Sequence, residues 1–173
     1  VAELSARIRG RVFEPGQPGY DTEVTPFRAD IVPSPALIVR ATCAEDVQEA
    51  VRYAAARNLP IGVQATGHGI VTPYHGAVLI STKHMKGVLV NPSTKRARIQ
   101  PGVIWQEVIE KTVPFGLIPL SGSTPLVGAV GYMLGGGLPV LGRKFGFAAD
   151  YIKAIEIVTP DGERFSHNGG TIF

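Results

Sequence analysis

A histidine stands between glycines in Ala65-Thr66-Gly67-His68-Gly69, directly after the apolar run Pro60-Ile61-Gly62-Val63. A turn so poor in side chains gives an imidazole little to pack against, and it suits a place where a large group approaches the backbone closely. Three chemistries are open to His68. As a metal ligand it lacks partners, because His75, His84 and His167 show no H-E-x-x-H or comparable spacing, and no metal is expected. As a general base it has an ordinary pKa near neutrality, but no acidic orienting partner is close in sequence. As a nucleophilic imidazole it can bond covalently to a cofactor; the residue types permit this without demanding it.

A second stretch is as rich in glycine. It runs from Ser121-Gly122-Ser123-Thr124 through Val127-Gly128 and Gly131-Tyr132 to Gly135-Gly136-Gly137. Gly128, Gly131 and Gly135 are spaced to share one face of a short helix, which would let a backbone or a flat ligand come close. Ser121, Ser123 and Thr124 offer hydroxyl and backbone N–H groups to an anion at a helix N-terminus. The competing reading is tight helix–sheet packing with glycine turns. Neither G-x-G-x-x-G between strand and helix nor G-x-x-x-x-G-K-[ST] is present, so any bound phosphate is held by another loop solution.

Elements must position these segments. Leu4 to Val12 reads as a short helix, and Pro15, Pro18, Pro26, Pro33 and Pro35 make the rest of the first 36 residues an extended lead-in. Leu37-Ile38-Val39 is a strand. Thr42 with Glu45 forms a capping box for a helix carrying Val47, Val51, Ala54 and Ala55, which Asn58 closes before the strand Ile61 to Val63. This is a β-α-β unit. Further strands are expected at Ala77 to Ile80 and Val88 to Val90, the latter in a hairpin with Ala97 to Gln100 across Asn91-Pro92-Ser93-Thr94. Val103 to Thr112 reads as a helix, Leu117 to Leu120 as a strand and Leu126 to Leu134 as a helix. Tyr151 to Val158 reads as a strand joined through Pro160-Asp161-Gly162-Glu163 to Arg164-Phe165. The class is α+β, mixed rather than doubly wound.

Composition narrows the function classes. The 173 residues hold 21 glycines and 14 prolines, well above ordinary globular usage, with no collagen period. Net charge is +3, and its tight clusters, Lys95-Arg96-Arg98 and Arg143-Lys144, carry no interleaved aromatics; nucleic acid is not an expected partner. The single cysteine, Cys43, excludes a disulfide framework and a C-x-x-C site, and reads as a small buried residue. No apolar run reaches the ~18 residues of a membrane span and no signal-peptide pattern opens the chain. A soluble, cytoplasmic protein is expected, although a processed precursor would read the same. The tail, Gly169-Gly170-Thr171-Ile172-Phe173, opens another element with nothing after it, as in a fragment of a longer chain.

Taken in order, these segments resemble the FAD-binding domain of the vanillyl-alcohol-oxidase superfamily (PCMH type), and most nearly the berberine-bridge-enzyme-like, FAD-linked oxidoreductases. The resemblance runs through Tyr20-Asp21, Pro35 to Val39, Glu45-Asp46-Val47, Ala65 to His68 and Pro101-Gly102-Val103-x-Trp105-x-x-Val108. It is strongest from Val127-Gly128 through Gly142-Arg143-Lys144-Phe145-Gly146 to Asp150, and it ends at Val158 to Gly162.

The resemblance implies a lead-in over 1–30 and two α/β FAD-binding subdomains: 31–90, with the pyrophosphate loop, and 91–166. An incomplete tail, 167–173, would follow, and the substrate domain would be lacking. It implies that Ala65, Thr66, Gly67, His68 and Gly69 wrap FAD, with His68 attached to the 8α-methyl of the isoalloxazine ring. Ser121, Gly122, Ser123, Thr124, Val127, Gly128, Gly131, Tyr132, Gly136 and Gly137 would meet the pyrophosphate and ring edge, and Ile157 and Val158 the adenine or ribose.

Where bicovalent members carry a cysteine before proline, this chain has Thr124 before Pro125, so a single covalent link is expected. Gln64 stands where the family commonly has arginine, and Pro139 where it has a small residue. The implied activity is oxidation of a C–H bond beside a hydroxyl or amine of a small organic substrate, with O₂ as acceptor. The catalytic residue lies outside these motifs and is unknown, and a homo-oligomer is left open. The alternative reading is a non-catalytic flavin-binding or structural fragment; an α+β domain with no cofactor is a third.

Overall fold

The computed structural model describes residues 1–168. These form two compact units. The first comprises Val1–His84 together with Ala154–Asn168, and the second Met85–Lys153. The expected glycine-led opening at Gly169-Gly170 lies outside the described residues.

The first unit is built on a four-stranded mixed sheet. Its strands are β1 (Arg11–Phe13), β2 (Leu37–Arg40), β3 (Ile61–Gln64) and β4 (Val78–Ser81), in the spatial order β1-β2-β4-β3. β1 runs antiparallel to β2, while β4 is parallel to both β2 and β3. The β2–helix–β3 unit is present, but its strands are not neighbours, since β4 inserts between them. Val78-Leu79-Ile80 is apolar on both faces and fully buried, as a central parallel strand must be.

Helix α3 (Ala44–Ala55) crosses from β2 to β3, burying Ala50, Val51 and Ala54. Its start differs from the expected Thr42–Glu45 capping box. Cys43 occupies the N-cap position without a side-chain capping bond, and it is half-buried rather than buried. The buried Asp46 carboxylate does the work instead. It accepts the Thr42 N–H and hydroxyl (both 2.8 Å) and the N–H groups of Arg9 (2.7 Å) and Gly10 (3.1 Å), tying helix and N-terminal segment together.

The N-terminal lead-in is more structured than its prolines suggest. Helix α1 (Ala2–Arg7) is shorter than expected, and Arg11 to Phe13 pair as β1. Tyr20–Val24 form α2, in a core cluster of Phe13, Tyr20, Val24, Ile38 and Leu79. The Tyr20 hydroxyl donates to the Pro35 carbonyl at 2.7 Å. Buried Glu23 on α2 accepts from Arg40 Nε at 2.6 Å and from the Ser81 hydroxyl. His84, expected on a surface turn, comes within 3.5 Å of the same carboxylate. The hairpin of β7 (Ala154–Val158) and β8 (Arg164–Asn168) completes this unit. Gln48 and Arg52 of α3 both donate to the Gly162 carbonyl in its turn, at 2.7 and 2.9 Å. The expected strand start at Tyr151 falls instead in a 3-10 turn, Ala148–Tyr151.

In the second unit, β5 (Val88–Asn91) and β6 (Arg96–Ile99) pair as the expected hairpin, followed by α4 (Trp105–Thr112). Val103, Trp105, Val108 and Ala129 form its core, flanked by Val88, Ile99, Val127, Tyr132 and Met133. Helix α5 spans Ala129–Leu134, three residues shorter at its start than expected. The reason is tertiary. The carbonyls of Pro125 and Val127 accept the N–H groups of Gln106 and Trp105, which the first turn of α4 leaves unpaired, and so hold 125–128 extended. The expected strand Leu117 to Leu120 is not formed. A short helix α6, Gly142–Phe145, precedes the 3-10 turn.

Candidate functional site

The glycine–histidine turn leaves the end of β3, and three main anchors fix it against the segment after α2. Gln64, buried at the strand end, donates from Nε2 to the Val24 carbonyl at 3.1 Å, and Phe27 N–H donates to the Thr66 carbonyl at 2.9 Å. Arg28 reaches the Ile70 carbonyl at 3.0 Å. Gly67 sits at φ +75°, and a Cβ there would lie 2.5 Å from Pro26 Cβ and 2.7 Å from Pro26 Cα, so glycine alone lets the two segments touch. Lys83 closes the far side of α2 by donating to the Glu23 and Thr25 carbonyls, and burial pushes its ammonium pKa down.

The turn presents His68 in a defined state. Its Nδ1 lies 2.8 Å from Thr66 Oγ1, and the Phe27 ring stacks on the imidazole with centroids 3.7 Å apart and planes 12° from parallel. Burial lowers the imidazole pKa below its ordinary value, favouring the neutral form. Nε2 is buried and has no partner among the described residues. Beside it, Gly69 faces open space. Among the described residues, the side-chain hydrogen bond to the imidazole comes from Thr66 and not from a carboxylate.

The structure brings Ala65, Thr66, Gly67, His68 and Gly69 together as one loop. Ile157 and Val158 are in the same unit on β7, where they pair with Phe165 and Arg164. Phe27 is the residue that sequence reasoning missed. It sat in a stretch read as extended lead-in, and its only signal was an aromatic after proline, far in sequence from the histidine it covers.

Within the second unit, Gly128 is the N-cap residue of α5 and pairs with Ile104 in an isolated bridge. Ser121, Ser123 and Thr124 precede α5, in the loop that leads to its Gly128 cap. Ser121 is tied into the loop by its carbonyl, which accepts from Val140 N–H at 3.1 Å. Tyr132 packs edge-on to Trp105, with ring centroids 5.4 Å apart at 90°, and burial raises its phenol pKa. The Tyr132 hydroxyl and Trp105 Nε1 are buried without partners among the described residues.

Gly137, at φ +65°, backs onto the same ring, where a Cβ would come within 2.6 Å. Gly131 and Gly136 face open space, so the bare surface expected of this segment is real at those positions. Within the first unit, the buried His68 Nε2, unpaired among the described residues, adjoins Gly69, whose Cβ position is open, and this fits a group that brings a polar edge to bare backbone.

Among the described residues, no three His, Cys, Asp or Glu side chains are grouped to hold a metal ion. Likewise, no helix is long and apolar enough to cross a membrane.

Comparison with known proteins adds the ligand class. Residues 35–167 match the family model described as an FAD binding domain. The chain is 33% identical over 159 residues to (R)-6-hydroxynicotine oxidase of Paenarthrobacter nicotinovorans, covering 90% of this chain and 34% of that protein. The crystal structure of 6-hydroxy-D-nicotine oxidase from Arthrobacter nicotinovorans superposes with a TM-score of 0.89 at 33% identity, over 95% of this chain and 36% of that one. Wild-type BBE-like 1 of Physcomitrella patens superposes with a TM-score of 0.85 at 26% identity, over 96% and 37% respectively. The chain thus spans about a third of the length of the curated relatives it matches.

Proposed function

The chain belongs to the FAD-binding-domain family of the vanillyl-alcohol-oxidase type, related to the berberine-bridge-enzyme-like oxidoreductases, and from that premise we propose that it is the cofactor-holding part of an FAD-linked oxidoreductase that tethers its flavin through His68. When bound, FAD supplies the hydride-accepting centre for oxidation of a C–H bond beside a hydroxyl or amine of a small organic substrate, with O₂ taking the electrons. The residues of this chain supply position and electrostatics.

The observation that supports the tether is the setting of His68: stacked on Phe27, its pKa lowered by burial, and with one buried ring nitrogen unpartnered among the described residues. Ala65 to Gly69 bring bare backbone to the pyrophosphate side. Ser121, Gly122, Ser123 and Thr124, with Val127, Gly128, Gly131, Tyr132, Gly136 and Gly137, are assigned to the pyrophosphate and ring edge, and Ile157 and Val158 to the adenine or ribose. Thr124 has no thiol, and Cys43 stands at the start of α3, so the tether is single.

The test is acid denaturation of the full-length protein followed by an absorbance spectrum and intact mass. Flavin absorbance that stays with the polypeptide, with a mass gain matching FAD, is expected, and it should vanish in His68→Ala. Release of all flavin from the wild-type protein would sink the tether while leaving the fold and family intact.

A further inference from the structure

We propose that the ammonium group of Lys83 meets the pyrophosphate of FAD beside the glycine–histidine turn. The proposal rests on the FAD-holding role described above and adds the residue that brings a full positive charge to it. The stretches assigned to the cofactor, Ala65 to Gly69, Ser121 to Gly137 and Ile157 to Val158, contain no lysine or arginine. Their backbone N–H groups offer partial charges to an anion, whereas a pyrophosphate carries full negative ones.

The sheet brings Lys83 to this turn. β2, β3 and β4 run parallel, and Arg40 and Gln64 flank Ser81 in register at their carboxyl ends. Open parallel sheets bind ligands outside that edge, and the glycine–histidine turn leaves β3 there. Thr82 N–H donates to the Gln64 carbonyl at 2.9 Å. The chain leaving β4 therefore stays beside the chain leaving β3, and Lys83 is its next residue. Lys83 Nζ donates to the Glu23 and Thr25 carbonyls at 2.8 and 2.9 Å. Thr25 leads into Pro26, against which Gly67 packs.

The other cations of this region are already matched. Arg40 pairs with Glu23, and Arg28 with Asp30 and the Ile70 carbonyl. The Glu23 carboxylate is itself taken by Arg40 and the Ser81 hydroxyl, and it acts on Lys83 only from beyond ion-pair distance. An ammonium has three donors. Among the described residues Lys83 uses two of them on carbonyls and has no carboxylate within ion-pair distance. Burial disfavours its charged form, and an anion at the third donor offsets that penalty.

The test is calorimetric titration of full-length apoprotein, produced under riboflavin limitation, with 8-demethyl-FAD, which lacks the carbon that a histidine tether needs. Lys83→Gln keeps N–H donors for the two carbonyls and drops the charge. It should bind 8-demethyl-FAD about tenfold more weakly, the scale of one hydrogen bond to a charged group, and bind 8-demethylriboflavin, which has no phosphate, as the wild type does. Lys83→Arg should stay within about threefold of the wild type, since it keeps the charge. The proposal is overturned if Lys83→Gln binds 8-demethyl-FAD with wild-type affinity, if it weakens both flavins equally, or if arginine is as weak as glutamine. Should Lys83→Gln fail to fold, wild-type affinity for 8-demethyl-FAD that does not change between about 50 and 500 mM NaCl overturns it as well. A wild type that binds no FAD at all overturns the cofactor-holding role itself, a distinct result.

Discussion

The Phe27 ring lies flat on the His68 imidazole, centroids 3.7 Å apart, although the two residues come from segments of opposite character: a proline-punctuated lead-in and a glycine turn. The backbone bond from Phe27 N–H to the Thr66 carbonyl makes the stack part of the loop's architecture. Phe27 is 62% exposed, so this ring is held on the surface by the histidine rather than by a core.

Phe27→Ala removes the cover from one face of the imidazole. Burial is what lowers the His68 pKa, so in this variant it should rise toward the ordinary value of about 6.5. Stability should fall by only about 1 kcal/mol, the scale of an aromatic pair. A pH titration of the His68 ring proton by NMR, before FAD is loaded, reads the shift; an unchanged pKa would separate burial from the stack.

Gly67→Ala and Gly69→Ala should part sharply although the residues flank the same histidine. At Gly67 the backbone is left-handed and Pro26 stands where the new methyl would go, whereas Gly69 has nothing nearby. We expect a loss of about 2–3 kcal/mol for the first and under about 0.5 kcal/mol for the second. Urea denaturation of both checks it, and equal losses would contradict the close approach of the turn to Pro26.

Asp46 should make the protein sensitive to acid. Burial alone would push its carboxyl pKa up, but the Thr42 and Arg9 N–H groups and the Thr42 hydroxyl outweigh this and hold it below the usual range. A carboxylate whose folded pKa is depressed stabilises fully above its unfolded value of about 3.9, and that stabilisation is lost as pH falls through the folded pKa. Asp46→Asn should therefore cost about 2–3 kcal/mol at pH 7 and progressively less below about pH 4. Denaturation midpoints at pH 7 and pH 3 test the convergence.

Glu23→Gln should cost about 3 kcal/mol at neutral pH, because Arg40 is left facing a buried neutral group. The Ser81 hydroxyl can still donate to the amide oxygen, so the damage should appear chiefly as lost ion pairing. Combining it with Arg40→Met should restore part of the loss in thermal melts. Strict additivity of the two changes would argue against the pair.

Much of the fold was legible because periodicity and breakers are local signals. Helix α3, the β5–β6 hairpin and the central β4 follow from apolar spacing, from Asn91-Pro92 and from an uninterrupted Val78-Leu79-Ile80. Helix α2 was hidden, since Pro18 and Pro26 bracket a segment whose helical turn is secured by burial of Tyr20 and Val24 and by Glu23 bonding to Arg40 and Ser81. Leu126 to Gly128 carry a helical pattern, yet α4 takes the carbonyls of Pro125 and Val127 for its own first turn.

What the amino-acid sequence determined by itself is chemical: an imidazole on a bare turn, a glycine-rich stretch, no thiol at Thr124, and the ordered motifs that place the chain in its family. Which side chain covers His68, which of its nitrogens is engaged, and which carboxylate caps α3 were decided only by tertiary structure. The cover on His68 and the Asp46 bonds to Arg9 and Gly10 join residues tens of positions apart, while the Nδ1 contact joins neighbours whose turn is held by the Phe27 bond to Thr66. Such meetings follow from how the strands order themselves, with β4 between β2 and β3, and local spacing carries no record of that order.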